Sequence, residues 1–136
     1  MSFIELPGLQ DAREPIVAPE GANYDLCITS AKIHTKDGKD SLECIFEIEG
    51  GEDYAPIWSY NSFPNSNDEE DIVKFKNLML RRFLVQFKIP HENGFEVEQV
   101  VGCRATACTL TQEVFESNLS NKLTLNRLPN EGPVAA

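Results

Sequence analysis

Residues 34–50, HTKDGKDSLECIFEIEG, leave the backbone little choice. Leu42, Cys44, Phe46 and Ile48 fall on even positions, while Glu43, Glu47 and Glu49 fall on odd ones. Successive side chains of a strand point to opposite faces, so this spacing separates one apolar face from one charged face. The Asp37-Gly38 pair just before it suits a two-residue hairpin turn. The stretch therefore predicts a hairpin whose second strand buries one face.

The flanking segments extend that hairpin into a sheet. In NYDLCITSAKIHTK, Tyr24, Leu26 and Ile28 alternate, and the apolar phase then shifts to Ala31 and Ile33. A one-residue phase change is what a β-bulge produces, and bulges let a sheet curl. Gly50-Gly51 ends the alternating strand, and APIWSYNSF reads as a third, aromatic-rich strand with Trp58 and Tyr60 on one face.

The period changes in PNSNDEEDIVKFKNLMLRRFLVQFKIP. Ile72, Phe75, Met79, Phe83 and Phe87 keep helical spacing, widened by Leu78, Leu80 and Leu84 into a core-facing stripe. Ser66 and Glu69 are placed for a capping box, acids 68–71 suit the positive end, Lys88 falls in the last turn, and Pro90 stops the helix. VVGCRATACTLTQEV then reads as a fourth strand interrupted by Gly102, and KLTLNRL, residues 122–128, as a fifth.

Three strands, one helix and two strands predict a mainly β fold. The expected architecture is a five-stranded OB-like Greek-key barrel with its helix between strands 3 and 4. A small sandwich with a crossover helix would have the same order. The chain divides into an N-terminal arm (1–22), the OB-like domain (23–128) and a flexible tail (129–136).

Charge narrows the function classes. The 136 residues carry a net charge of −10. Residues 1–71 hold sixteen acids and four bases, whereas 72–136 hold six acids and eight bases. Global acidity argues against clinging to nucleic acid by net charge alone, yet screening beyond about 8 Å leaves room for a local basic patch. No apolar run reaches a membrane span, and the N-terminus lacks a signal pattern, so a cytoplasmic protein is expected. Cys27, Cys44, Cys103 and Cys108 offer no closely spaced pair beyond C-x4-C, which favours free thiols over a zinc site. His34 and His91 lie in polar turns outside any nucleophile–base signature. The carboxylates at 68–71 are explained by capping rather than metal binding. The reading is a non-enzyme without a cofactor.

Binding candidates are aromatic and basic. Trp58, Tyr60 and Phe63 cluster in the third strand and its exit loop, and a single strand of nucleic acid stacks its bases on such rings. Trp58 fits a core position as well as a stacking platform. Lys36 and Lys39 flank the first turn, with Arg104, Lys122 and Arg127 in the last two strands as partners for phosphates. Solubility and ion pairing with Glu43 or Glu47 would account for the same bases.

The ordered motifs add a resemblance. Pro19, Gly21 and Tyr24 opening a strand, Lys36 and Gly38 in the turn, Gly50 closing the next strand, RRFL at 81–84 and VGCRATACTL at 101–110 resemble a family of small bacteriophage single-stranded-DNA-binding proteins. The similarity runs over about residues 5–127. It implies an OB-like fold and single-stranded DNA binding in phage replication or recombination, in the cytoplasm of an infected bacterial host. Replication or recombination proteins and further copies of the chain are the partners it would allow. A second expectation, from the acidic first half, is a non-enzymatic protein-interaction module that engages a host or phage protein.

Overall fold

The computed structural model describes residues 2–129 except Arg13, Pro15 and Glu52, and Phe115 by its backbone alone. Five strands and one helix follow in the order β1 (Asn23–Lys36), β2 (Lys39–Ile48), β3 (Ile57–Ser62), α1 (Glu70–Gln86), β4 (Arg104–Phe115) and β5 (Asn118–Thr124). They form one antiparallel sheet ordered β3-β2-β1-β4-β5.

The first hairpin forms as its sequence requires. Lys36 faces Lys39 across a turn whose central residues, Asp37 and Gly38, have φ of 53° and 76°. Positive φ at both positions is the type I′ geometry that matches strand twist. The even residues Leu42, Cys44 and Phe46 of β2 are fully buried. The phase change in β1 is a bulge, with the β1–β2 register shifting between Ile28 and Ser30. A second irregularity separates Tyr24 from Leu26 opposite β4. There Ala107 takes φ 52° and donates its N–H to Asp25 Oδ1 at 3.0 Å.

The helix is fastened at its C-terminal half. Phe83, Leu84 and Phe87 are buried, and the Phe87 ring stacks on Phe46 at 5.1 Å and 10°. Phe83 lies 5.0 Å from Phe87 and 6.1 Å from Phe46. Each buried ring contributes about 1.5–3 kcal/mol, and each ring pair about 0.5–1.5 kcal/mol more. The exposed Lys74–Glu70 pair of the first turns adds only about 0.3–0.5 kcal/mol. Packing at Phe46, Phe83 and Phe87 therefore decides where the helix sits.

Both helix ends differ from expectation. The N-cap is Glu69 and makes no side-chain cap, so the Ser66–Glu69 box is not formed. Asp68 instead accepts the Asn65 N–H at 2.8 Å and pairs with Lys76 at 2.7 Å. At the other end Lys88 lies beyond the last turn, at φ 55°. Its N–H bonds Val85 O and that of Ile89 bonds Leu84 O, a Schellman closure with Lys in the left-handed position.

Two strand boundaries also move. β4 begins only after Gly102, whose φ is 90°. β5 spans Asn118–Thr124 rather than 122–128, because Asn126 leaves the sheet and donates its N–H to Gln86 Oε1 at 2.9 Å. The polar start of β5 hid its first residues from an apolar pattern.

The sheet is not closed into a barrel. β3 and β5 approach one another, but no ladder joins them among the described residues. These strands are only six and seven residues long, and side chains line the gap between their free edges.

The N-terminal segment is held at Ile16 and Ala18, and Glu20 accepts the Gln112 N–H. Ile16 bridges Tyr54, with Ile16 N–H on Asp53 O and Ala55 N–H on Ile16 O, both at 2.9 Å. Ala18 is fully buried, donates to Asn121 Oδ1 at 2.8 Å and accepts from Asn121 Nδ2 at 2.9 Å. Residues 130–136, most of the tail expected to be flexible, lie outside the described residues.

Asn121 is buried and saturates both backbone groups of Ala18, so its truncation orphans a buried donor. Asn121→Ala is expected to lower stability by about 1–3 kcal/mol in urea unfolding. It should also speed amide exchange at Ala18; an unchanged Ala18 rate would contradict this role.

Candidate functional site

The free edges of β3 and β5 and the first turns of α1 enclose a groove of about 640 Å³. Alternation along β3 sends Ile57 and Asn61 inward, 2% and 8% exposed, and turns Trp58 and Tyr60 outward, 51% and 55% exposed. The helix adds Ile72 and Phe75, the latter 58% exposed, because its grip on the sheet lies further along. Lys122, Leu123 and Leu125 supply the opposite wall. Three aromatic rings and an apolar helix face thus border one cleft.

Its electrostatics are mixed. Lys122 makes no ion pair among the described residues, whereas Lys76 is held by Asp68. The Lys76 bond, followed by the Asn65 N–H, holds the Asp68 carboxyl below the usual range, and Lys39 adds a weaker pull. The Lys36–Lys39 turn does not line the groove, but Lys39 is close enough to act on its Asp68–Lys76 border.

Behind Tyr60 lies a polar network. The Tyr60 hydroxyl donates to Glu43 Oε1 at 3.0 Å, and Lys32 Nζ stands 3.3 Å from Oε2. The Tyr60 hydrogen bond is the main cause of a lowered Glu43 pKa, with Lys32 and His34 contributing against desolvation. The same bond raises Tyr60. His34, expected in a turn, sits in β1 with its ring 5.6 Å from Tyr60, edge to face. On the inner side, buried Asn61 Nδ2 has no hydrogen-bond partner among the described residues.

Of the expected site residues, Trp58, Tyr60 and Lys122 meet in the groove. Phe63 does not; it is half-buried against the core, 6.2 Å from Phe95. Arg104 points elsewhere and is paired through Nε with Glu49 Oε1 at 2.9 Å. It borders a separate cavity of about 750 Å³ whose other charged residues among those described, Asp11, Glu14, Glu47, Glu49 and Asp53, are acidic. Arg127 is exposed, has an interaction of its own and does not line the groove. All four cysteines are free thiols, and burial pushes Cys44 up to about 12.

Sequence reasoning assigned Ile72, Phe75 and Met79 to the core and passed over Asn61. Helical spacing alone does not show how much of the stripe is covered: Phe83, Leu84 and Phe87 are buried, whereas Ile72 and Phe75 are exposed.

No protein-family model matches the chain, and no curated protein matches it.

Glu43 has a lowered folded pKa, so its contribution to stability is fully present above the ordinary glutamate range and is lost as pH falls through the folded value. Tyr60→Phe removes the leading cause. Carboxyl-carbon NMR titration should then show Glu43 moving up toward its ordinary value, while an unmoved Glu43 would assign the shift to Lys32.

Proposed function

We propose that this chain binds single-stranded DNA without sequence preference, in phage DNA replication or recombination, as a non-enzymatic protein. The observation that carries the reading is the groove in which Trp58, Tyr60 and Phe75 are all more than half exposed, beside Lys122, which makes no ion pair among the described residues, and Glu113. Exposed rings of this size are costly in water and are suited to stacking on bases, at about 1–3 kcal/mol per base. Lys122 supplies a cation for phosphate, and Lys39 acts on the Asp68–Lys76 border of the groove.

An OB-like arrangement is part of the same proposal. β4 lies beside β1 at one end of the β1–β2–β3 meander, which is the strand order of a Greek key, and α1 falls between β3 and β4. In this reading the β3–β5 seam remains open and forms the binding face. The resemblance of the Pro19–Tyr24, Lys36–Gly38, 81–84 and 101–110 motifs to phage single-stranded-DNA-binding proteins supports the same assignment.

One observation favours a second reading. The cavity lined by Asp11, Glu14 and Glu47 would repel a nucleic acid and attract a basic segment of a host or phage protein. It is separate from the groove, so a protein partner there would be compatible with DNA on the seam.

Fluorescence anisotropy with labelled oligo-dT tests the proposal. Affinity should fall as salt rises, since each neutralised phosphate releases counterions. Phe75→Ala and Trp58→Ala should each cost about 1–3 kcal/mol. Lys122→Glu should reduce the logarithmic salt slope by about 1, and Arg104→Ala should leave binding unchanged. Absence of binding at low salt would reject the reading.

A further inference from the structure

Glu43 stands on the outward face of β2 and is nonetheless almost closed off from water. Its register partners are Lys32 on β1 and Tyr60 on β3, so one row of side chains crosses three strands. The Glu43 side chain is 11% exposed, against 67% for Lys32. Glu47, two pleats along on the same face, is exposed in the manner of a solubilising charge. Glu43 Oε1 accepts the Tyr60 hydroxyl at 3.0 Å, and Oε2 lies 3.3 Å from Lys32 Nζ without a hydrogen bond among the described residues.

Neither solubility nor stacking accounts for this pair. Withdrawing a carboxylate from water is unfavourable, and a negative charge close to a phosphate path is more so. Stacking uses the ring alone, for which phenylalanine would serve as well as tyrosine. What the pair does supply is order. β3 is a six-residue strand bonded to β2 alone, and the Tyr60 ring on it is more than half exposed. The hydroxyl bond ties the far end of that ring to the neighbouring strand, and the His34 ring flanks it at 5.6 Å and 65°.

We infer that Glu43, which does not itself line the groove, is a positioning residue: its bond to the Tyr60 hydroxyl fixes that ring as a stacking surface before the nucleic acid arrives, while Lys32 balances the buried charge. The inference rests on the single-stranded-DNA reading of the groove. A ring ordered in advance gives up no side-chain freedom on binding, a difference of about threefold to tenfold in affinity.

Two substitutions of the full chain separate positioning from charge. Glu43→Gln keeps an oxygen that accepts the Tyr60 hydroxyl, Glu43→Ala does not, and both remove the carboxylate. Anisotropy with labelled oligo-dT should show Glu43→Ala binding about threefold to tenfold more weakly than Glu43→Gln. In the Tyr60→Phe background, where the hydroxyl is gone, the two should bind alike. Ring-carbon NMR relaxation of the free chain should show a more mobile Tyr60 in Glu43→Ala than in Glu43→Gln. Equal binding by the two variants, a difference that persists with Tyr60→Phe, or equal ring mobility would each overturn the inference. Should Glu43→Ala fail to fold, Tyr60→Phe alone reads the same bond, since it alters only the hydroxyl of an exposed ring. It should bind about threefold to tenfold more weakly than the unaltered chain, and undiminished affinity would overturn the inference. Absence of oligo-dT binding by the unaltered chain would reject the single-stranded-DNA reading and the inference with it. Binding in which the two Glu43 variants are alike would reject the inference alone.

Discussion

The stack of Phe87 on Phe46, with Phe83 against both, sets where the helix lies against the sheet and so where the groove opens. It joins the middle of β2 to the last turns of α1. The helix is buried there, whereas Ile72 and Phe75 of its first turns are 41% and 58% exposed. The space between them and the free edges of β3 and β5 is the groove. The site is a by-product of where the core packs best.

Sheet curvature supplies the other half of the geometry. The bulges at Ile28–Ser30 and Tyr24–Leu26 bend the sheet so that its two edge strands approach. They stop short of pairing, which leaves backbone donors and acceptors, and the buried Asn61 amide, beside exposed rings. Polar edges and apolar faces in one cleft suit a nucleotide strand. The groove carries Lys122 and Glu113 with Lys76 held by Asp68, while Arg104 is neutralised by Glu49 at the second cavity.

Local rules were legible in the sequence, and long-range partnerships were not. Asp37-Gly38, the alternation from Leu42 to Ile48, the bulge in β1 and the existence of α1 all follow from spacing and turn chemistry within a few residues. The capping box failed because Lys76, eight residues on, draws in Asp68. Arg104 looked available because its partner Glu49 is distant in sequence and meets it only when β1 brings β2 and β4 together. Phe63 looked like part of the platform until Phe95, from a loop beyond the helix, packed against it. Trp58, Tyr60 and Lys122, singled out in the sequence, do line one groove, whereas its helix wall is not legible there because helical spacing gives a face but not how much of it the sheet covers.

The central claim is that the ligand lies on the β3–β5 seam. NMR chemical-shift mapping of the full chain with short oligo-dT at low salt tests it most directly. The account predicts that the largest shifts fall at the Trp58 indole N–H, Tyr60, Ile72–Met79 and Lys122–Leu125. Shifts concentrated at Glu47–Asp53 and Arg104, with the seam unmoved, would contradict it.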